Sequence, residues 1–237
     1  SEIQRDFIPA ALTGRDCIGR ARTGTGKTAA FLLPLFEHFS AGEELSALIL
    51  APTRELARQI HAECEKLSGK LPPRAAAVSG GQPMKKQIVH LRQNPEIIAG
   101  TPGRIIDHGK RGNIAFHRFT TVILDEVDRM FDMGFRQDIG YILGKCSNRH
   151  QTLFLSATLP DDIMRLAERY TRDPIRNLFQ SQGKKGWTFF TEVVARRPGD
   201  VRLNADIRNR LWDWAEQDYG VIVRLNHGYH PGGTLPE

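Results

Sequence analysis

Cysteine is scarce: Cys17, Cys64 and Cys146 are the only three in 237 residues, they lie far apart, and they form no CxxC. An odd, scattered set argues against a disulfide framework and against a zinc cluster, so a reducing, cytoplasmic setting is expected. Long apolar runs are also missing. No stretch approaches the roughly 20 residues a membrane span needs, and mean hydropathy is −0.38; no membrane partner is expected. The opening Ser1-Glu2-Ile3-Gln4-Arg5-Asp6 lacks a basic segment followed by an apolar one, which gives no reading of a signal peptide. Internal repeats and low-complexity tracts are absent too.

What is present is a core-forming chain, 40% apolar, with 33 Lys and Arg against 27 Asp and Glu, a net charge of +6 and a pI near 9.4. Such a balance suits a polyanionic partner. The charge is unevenly placed: residues 1–180 carry 25 basic and 20 acidic side chains, or +5 of the +6. All three tryptophans, Trp187, Trp212 and Trp214, lie beyond residue 180, and Gln180 to Gly186 reads as a polar connector. Two segments are therefore expected, 1–180 and 181–237.

Within the first segment, strand-sized apolar runs recur at Cys17 to Gly19, Ala47 to Ala51, Ala75 to Val78, Ile97 to Ala99, Val122 to Leu124 and Leu153 to Leu155. Between them lie stretches of helical spacing, such as Leu56, Ile60, Cys64 and Leu67, or Ile88 and Leu91 after Pro83. Strands that are nearly all apolar, alternating with helices, imply a parallel sheet covered on both faces. Ligands of such sheets bind at the carboxyl ends of the strands.

Directly after the first run stands Ala21-Arg22-Thr23-Gly24-Thr25-Gly26-Lys27-Thr28, followed by the helical Ala29 to Leu33. This is a phosphate-binding loop. Its glycines let backbone N–H groups close around phosphate oxygens at a helix N-terminus, Lys27 reaches the β and γ phosphates, and the Thr28 hydroxyl ligates Mg²⁺. ATP and Mg²⁺ are the cofactors expected, although Ala21 stands where a glycine is usual. Thr121 to Leu124 delivers Asp125, Glu126 and Asp128 at a strand end. Asp125 suits the metal, through its water shell, and Glu126 suits the attacking water. Taken alone, the acids would equally fit a helix N-terminus stabilised by its dipole.

In these motifs, and in their order, residues 1–180 resemble the first RecA-like domain of a DEAD-box RNA helicase. Ile3-Gln4 resembles the end of the family's Q motif, Ala21 to Thr28 motif I, Ala51-Pro52-Thr53-Arg54-Glu55-Leu56 motif Ia, and Gly80-Gly81 the paired glycines. Thr101-Pro102-Gly103-Arg104 resembles motif Ib, Asp125-Glu126-Val127-Asp128 motif II, and Ser156-Ala157-Thr158 motif III. The resemblance implies a three-layer α/β P-loop NTPase with a mostly parallel central sheet. It implies that Gln4 reads adenine, that Ala21, Thr23, Gly24, Thr25, Gly26, Lys27, Thr28, Asp125 and Glu126 bind Mg-ATP, and that Lys27, Asp125 and Glu126 are catalytic. Pro52, Thr53, Arg54, Gly80, Gly81, Thr101, Pro102, Gly103 and Arg104 would hold an RNA backbone without reading its bases. Asp128, Ser156 and Thr158 would couple the two sites.

The chain departs from the family pattern in three places. Val127 replaces the alanine of the family's name, adding two methyl groups at a packed turn while leaving the three acids in place. The upstream aromatic that stacks on adenine does not precede Gln4 here. Residues 181–237 are too few for the second RecA-like lobe, whose arginines the family needs for hydrolysis, so this lobe is expected as a partner in cis or in trans. The chain itself is expected to be a monomer.

The last segment reads as a helix from Asn204 to Asp218, a strand from Val221 to Leu225 and a glycine-rich loop carrying His227 and His230. A solvated loop is the simpler reading of the histidines than a metal or catalytic pair. Two further readings of the whole chain stay open: a truncated or chimeric module that holds ATP and RNA with little turnover, and a translocase acting on DNA.

Overall fold

The computed structural model describes residues 1–22, 24–40, 46–68, 72–146 and 150–176. The expected tail, with its helix, strand and histidines, lies outside the described residues, as do Thr23 and residues 177–180.

Seven strands form one sheet: β1 (Cys17–Arg20), β2 (Ala47–Leu50), β3 (Ala75–Val78), β4 (Ile97–Gly100), β5 (Thr121–Asp125), β6 (Gln151–Ser156) and β7 (Ile175–Arg176). The spatial order is β3-β4-β2-β5-β6-β1-β7. Every pairing is parallel, with Leu48 beside Val122 and Ile123 beside Leu153, for example. All six expected runs are strands; β7, two residues long at the edge, carries no pattern that could announce it.

The helices are α1 (Glu2–Leu12), α2 (Lys27–Ser40), α3 (Arg54–Ser68), α4 (Met84–Leu91), α5 (Pro102–Lys110), α6 (Val127–Asp132), α7 (Arg136–Lys145) and α8 (Asp161–Tyr170). They cover both faces because successive strand side chains point to opposite sides. In β2, Ala47 and Ile49 join the core under α1, α2 and α3, with Phe7, Phe31 and Ile60. Leu48 and Leu50 join the other core, with Ile105 of α5, Met130 of α6, Ile139 and Ile142 of α7 and Ile163 of α8. The three-layer expectation is thus met by alternation within each strand.

The topology sorts the strand ends into two groups. The carboxyl ends of β5, β6 and β1 are neighbours, and so are those of β3, β4 and β2. The first group carries the segments after residues 125, 156 and 20. The second carries those after residues 78, 100 and 50.

Candidate active site

The loop after β1 opens with the Ala21 amide donating to the Ser156 carbonyl at 2.8 Å, which extends the β1–β6 ladder. Gly24 and Gly26 then take φ of +81° and +86°, a left-handed backbone that glycine adopts without Cβ strain. The Thr25 hydroxyl donates to the Arg22 carbonyl at 2.7 Å, and α2 begins at Lys27. Gln4, buried on α1, donates from Nε2 to the Gly26 carbonyl at 3.2 Å. Its Oε1 accepts from the Ser1 nitrogen at 2.9 Å. Gln4 is therefore bound into the frame of the loop.

Lys27 Nζ lies 3.8 Å from Asp125 Oδ1, and both side chains are buried. Among the described residues neither atom has a hydrogen-bond partner. Two opposite charges out of water, close enough to attract but without hydrogen bonds, are costly to keep. Burial pushes the Asp125 carboxyl up to about 6; the Lys27 charge opposes that rise and the neighbouring Glu126 adds to it. An orphaned cation and an orphaned carboxylate oxygen at a helix N-terminus are the donor set that a metal–polyphosphate complex would complete. Thr28, half-buried on the first turn of α2, adds a hydroxyl. Among the described residues no cluster of three or more His, Cys, Asp or Glu forms an all-protein metal cage. Thr28 and Asp125 accordingly fit a hard cation that keeps most of its ligands as water and phosphate oxygen.

Glu126 caps α6 in a left-handed conformation, φ 55° and ψ 54°. A non-glycine residue there is strained, and such strain clusters at functional sites. Its Oε2 accepts from Arg129 Nη1 at 3.4 Å. Val127, the departure from the family pattern, is fully buried in the second core, so the extra methyl groups are packed.

Asp128 ties β5 to β6. Its amide donates to Ser156 Oγ at 3.1 Å, and its Oδ2 accepts the Thr158 amide at 2.9 Å and the Thr158 hydroxyl at 3.0 Å. Burial would raise this carboxyl; hydrogen bonds from Thr158, Ser156 and the Arg129 amide together outweigh it and hold Asp128 below the usual carboxylate range.

The second group of strand ends holds the remaining expected residues. Thr53 Oγ1 accepts the Leu56 amide at 3.1 Å and so caps α3, while Thr101 is the N-cap of α5. Arg54 is exposed and runs along Gly80 and Gly81: a Cβ at Gly80 would sit 3.1 Å from Arg54 Nη2, and one at Gly81 would collide with Nη1. Gly81 has φ +81°. Arg104 Nη1 donates to the Gln82 carbonyl at 3.2 Å, on the same loop. Gly103 is exposed, whereas Pro52 and Pro102 are buried; the prolines shape the turns and offer no side-chain surface. The structure thus assembles two clusters, one around Lys27 and Asp125 and one around Arg54 and Gly81, joined through the pairing of β2 with β5.

Sequence reasoning missed two buried polar residues behind the second cluster, Gln87 and His108. Their only sequence signal was a polar side chain three or four residues from apolar positions of α4 and α5, which looks like any surface residue.

A phosphate loop after β1, acids after β5 and a hydroxyl-bearing segment after β6 define a P-loop NTPase of RecA-like fold. The sequence model of the DEAD/DEAH box helicases matches residues 1–166, and the chain belongs to that family. It is 47% identical over 173 residues to the DEAD-box ATP-dependent RNA helicase CshA of Bacillus cereus, covering 73% of this chain and 33% of that protein. The ATP-dependent RNA helicase CshA of Listeria monocytogenes is 47% identical over 221 residues, 93% of this chain and 42% of the relative. A crystal structure of a DEAD box protein from Methanococcus jannaschii superposes with a TM-score of 0.70 at 41% identity, over 74% of this chain and 48% of that one. The chain therefore spans a third to two fifths of the curated relatives it matches.

Proposed function

We propose that this chain is the ATP-binding half of an RNA-dependent ATPase, holding Mg-ATP at the β5-β6-β1 ends and an RNA backbone at the β3-β4-β2 ends. The observation that carries this reading is the buried Lys27–Asp125 pair, whose facing atoms lack hydrogen bonds and flank the phosphate loop.

In the proposed reaction, Lys27 neutralises charge on the β and γ phosphates, and the loop amides after Gly24 bind their oxygens. Thr28 and Asp125 would hold the metal, which when bound would supply neutralisation of polyphosphate charge. Glu126 orients the attacking water and takes its proton. Gln4, fastened to Gly26, links adenine recognition to the loop that holds the phosphates. Asp128, Ser156 and Thr158 join the strand that bears Glu126 to the one beside β1, so a change at the γ-phosphate is felt by both. Arg129 is engaged with Glu126, so charge developing on the γ-phosphate calls for a cation from elsewhere. We assign it to a second RecA-like lobe, in cis or in trans, whose arginines would be worth about 10³ to 10⁵ in rate.

The test is nucleotide binding and ATP turnover by the chain, with and without single-stranded RNA. Lys27→Ala is expected to abolish ATP binding, whereas Glu126→Gln should keep binding and lose hydrolysis. Normal ATP binding by Lys27→Ala would sink the assignment. Titration with RNA and with DNA of the same sequence separates RNA from DNA partners, because only RNA offers 2′-hydroxyls.

A further inference from the structure

Behind the Gly80–Gly81 turn lies a hydrogen-bond chain that the proposed reaction does not use. Gln87 on α4 and His108 on α5 are 2% and 0% exposed. Gln87 Nε2 donates to the Ser79 carbonyl at 2.9 Å and to the Gln82 carbonyl at 3.3 Å, the two residues that bracket the glycine pair. His108 Nε2 lies 3.1 Å from Gln87 Oε1, and His108 Nδ1 lies 3.3 Å from Asn113 Nδ2.

Donor counting fixes the direction of this chain. Both hydrogens of the Gln87 amide nitrogen are used on carbonyls, so its oxygen can only accept, and His108 must carry its proton on Nε2. The reversed amide would face its oxygen toward two carbonyl oxygens, a repulsive arrangement. A neutral ring protonated on Nε2 has a bare Nδ1, and Asn113 supplies the donor it needs. Burial, reinforced by the Arg104 charge, lowers the His108 basicity, which agrees with a neutral ring.

The chain has a geometric consequence. Two glycines in a row make the turn after β3 the most permissive stretch of backbone near this surface, yet Arg54 packs against both of them. The Gln82 carbonyl receives Gln87 from behind and Arg104 from α5. Asn113, after α5, also donates its backbone amide to the His108 carbonyl at 2.9 Å, closing the chain onto the helix that carries Arg104.

We propose that Gln87, His108 and Asn113 are positioning residues for the RNA surface: a buried one-directional relay that fixes the Gly80–Gly81 turn against the first turn of α5, so that Arg54, Gly81 and Arg104 are presented as one rigid unit. This rests on the RNA-binding reading above. The relay touches none of the residues around Lys27 and Asp125, so its loss is read at RNA and not at nucleotide.

The experiment uses the full chain, a fluorescent single-stranded oligouridylate and a fluorescent ATP analogue, with Gln87→Met as the variant that keeps length and loses both donors. The expected result is RNA affinity weakened about tenfold or more, because the Ser79 carbonyl loses the Gln87 donor and the Gln82 carbonyl keeps Arg104 alone, with unchanged nucleotide affinity and shifted Gly80 and Gly81 amide resonances. Equal RNA affinity in variant and wild type would overturn the relay's role. Wild type that binds no RNA would instead overturn the functional reading, and the relay's role would fall with it. Where Gln87→Met does not fold, the ¹⁵N spectrum of the wild-type imidazole decides alone: His108 should be protonated on Nε2 and bare on Nδ1 at neutral pH. A proton on Nδ1 would refute the relay.

Discussion

Asp125→Asn is expected to stabilise the ligand-free protein while disabling its chemistry. Asp125 is fully buried, its facing oxygen has no hydrogen bond among the described residues, and its carboxyl is pushed from 3.8 to about 6. The sign follows from linkage: a carboxyl whose folded pKa lies above its unfolded value adds stability below about pH 4, and that stability is lost as pH rises through about 6. At about 1.4 kcal/mol for each tenfold change in proton affinity, keeping the group charged at pH 8 costs the fold about 3 kcal/mol. Asparagine imitates the protonated carboxyl, so it avoids this cost at every pH, and the Lys27 attraction it forgoes is already contained in that net figure. For a domain of this size the gain corresponds to roughly 6–12 °C in Tm. The assay is thermal or urea unfolding of wild type and Asp125→Asn, ligand-free, from pH 4 to pH 8. The two stability curves should diverge as pH rises from about 4 to about 6 and stay apart by a constant amount above that. Parallel curves between those two values would refute the claim that Asp125 is held charged at a cost.

Gly81→Ala should cost about 1–2 kcal/mol from its positive φ alone and also displace Arg54; RNA affinity is expected to fall with ATP affinity intact, as parallel titrations would show. Asp128→Ala removes the acceptor of two Thr158 hydrogen bonds and should lower stability by about 1–3 kcal/mol. Asp128 is held below its ordinary 3.8, so its contribution is present above that value and fades only as pH falls through the lower folded one; denaturation of wild type and variant from neutral pH to well below 3.8 checks this. Mg-dependent nucleotide affinity should weaken below about pH 6 as Asp125 takes up its proton, and calorimetric titration at pH 5 and 8 would detect it.

The parts of this fold that were legible in the sequence are those whose signal is local. Ala47 to Leu50 and Thr121 to Asp125 are apolar runs bounded by turns, and burial on both faces leaves no other reading of them. The phosphate loop was legible for the same reason, since Gly24, Gly26, Lys27 and Thr28 are contiguous. Helix α1 was not, because Pro9 inside it argues against a helix, although Ile3, Phe7, Ala10 and Ala11 pack under α2. On α4 the spacing pointed to Ile88 and Leu91, yet the buried polar side chain is Gln87, facing His108. A buried glutamine is recognisable only when its partner is known, and that partner is 21 residues away. The Arg54 contact with Gly80 and Gly81 was hidden likewise, since it joins the ends of β2 and β3, strands separated in the sheet by β4.

The end of β5 gathers features that a stability-optimised fold would avoid. Among the described residues, the facing atoms of Asp125 and Lys27 are buried without hydrogen bonds, and Glu126 holds a left-handed backbone. Each would be removed by a simple substitution, and together they involve two residues of one strand end and the first residue of α2. The apolar side chains of the other strands alternate between two cores, whereas the buried Lys27–Asp125 pair and the left-handed Glu126 are concentrated at one strand end. That concentration is what a ligand-dependent site requires. A polyphosphate with its metal would satisfy Lys27 and Asp125 at once, and free energy that the ligand-free fold loses at this strand end becomes differential affinity for the bound state. The Asp128–Thr158 and Ala21–Ser156 hydrogen bonds connect that strand end to β6 and β1. On the proposed reading, relief of the Lys27–Asp125 pair would reach three adjacent strands through these hydrogen bonds, and through the pairing of β5 with β2 the second cluster as well.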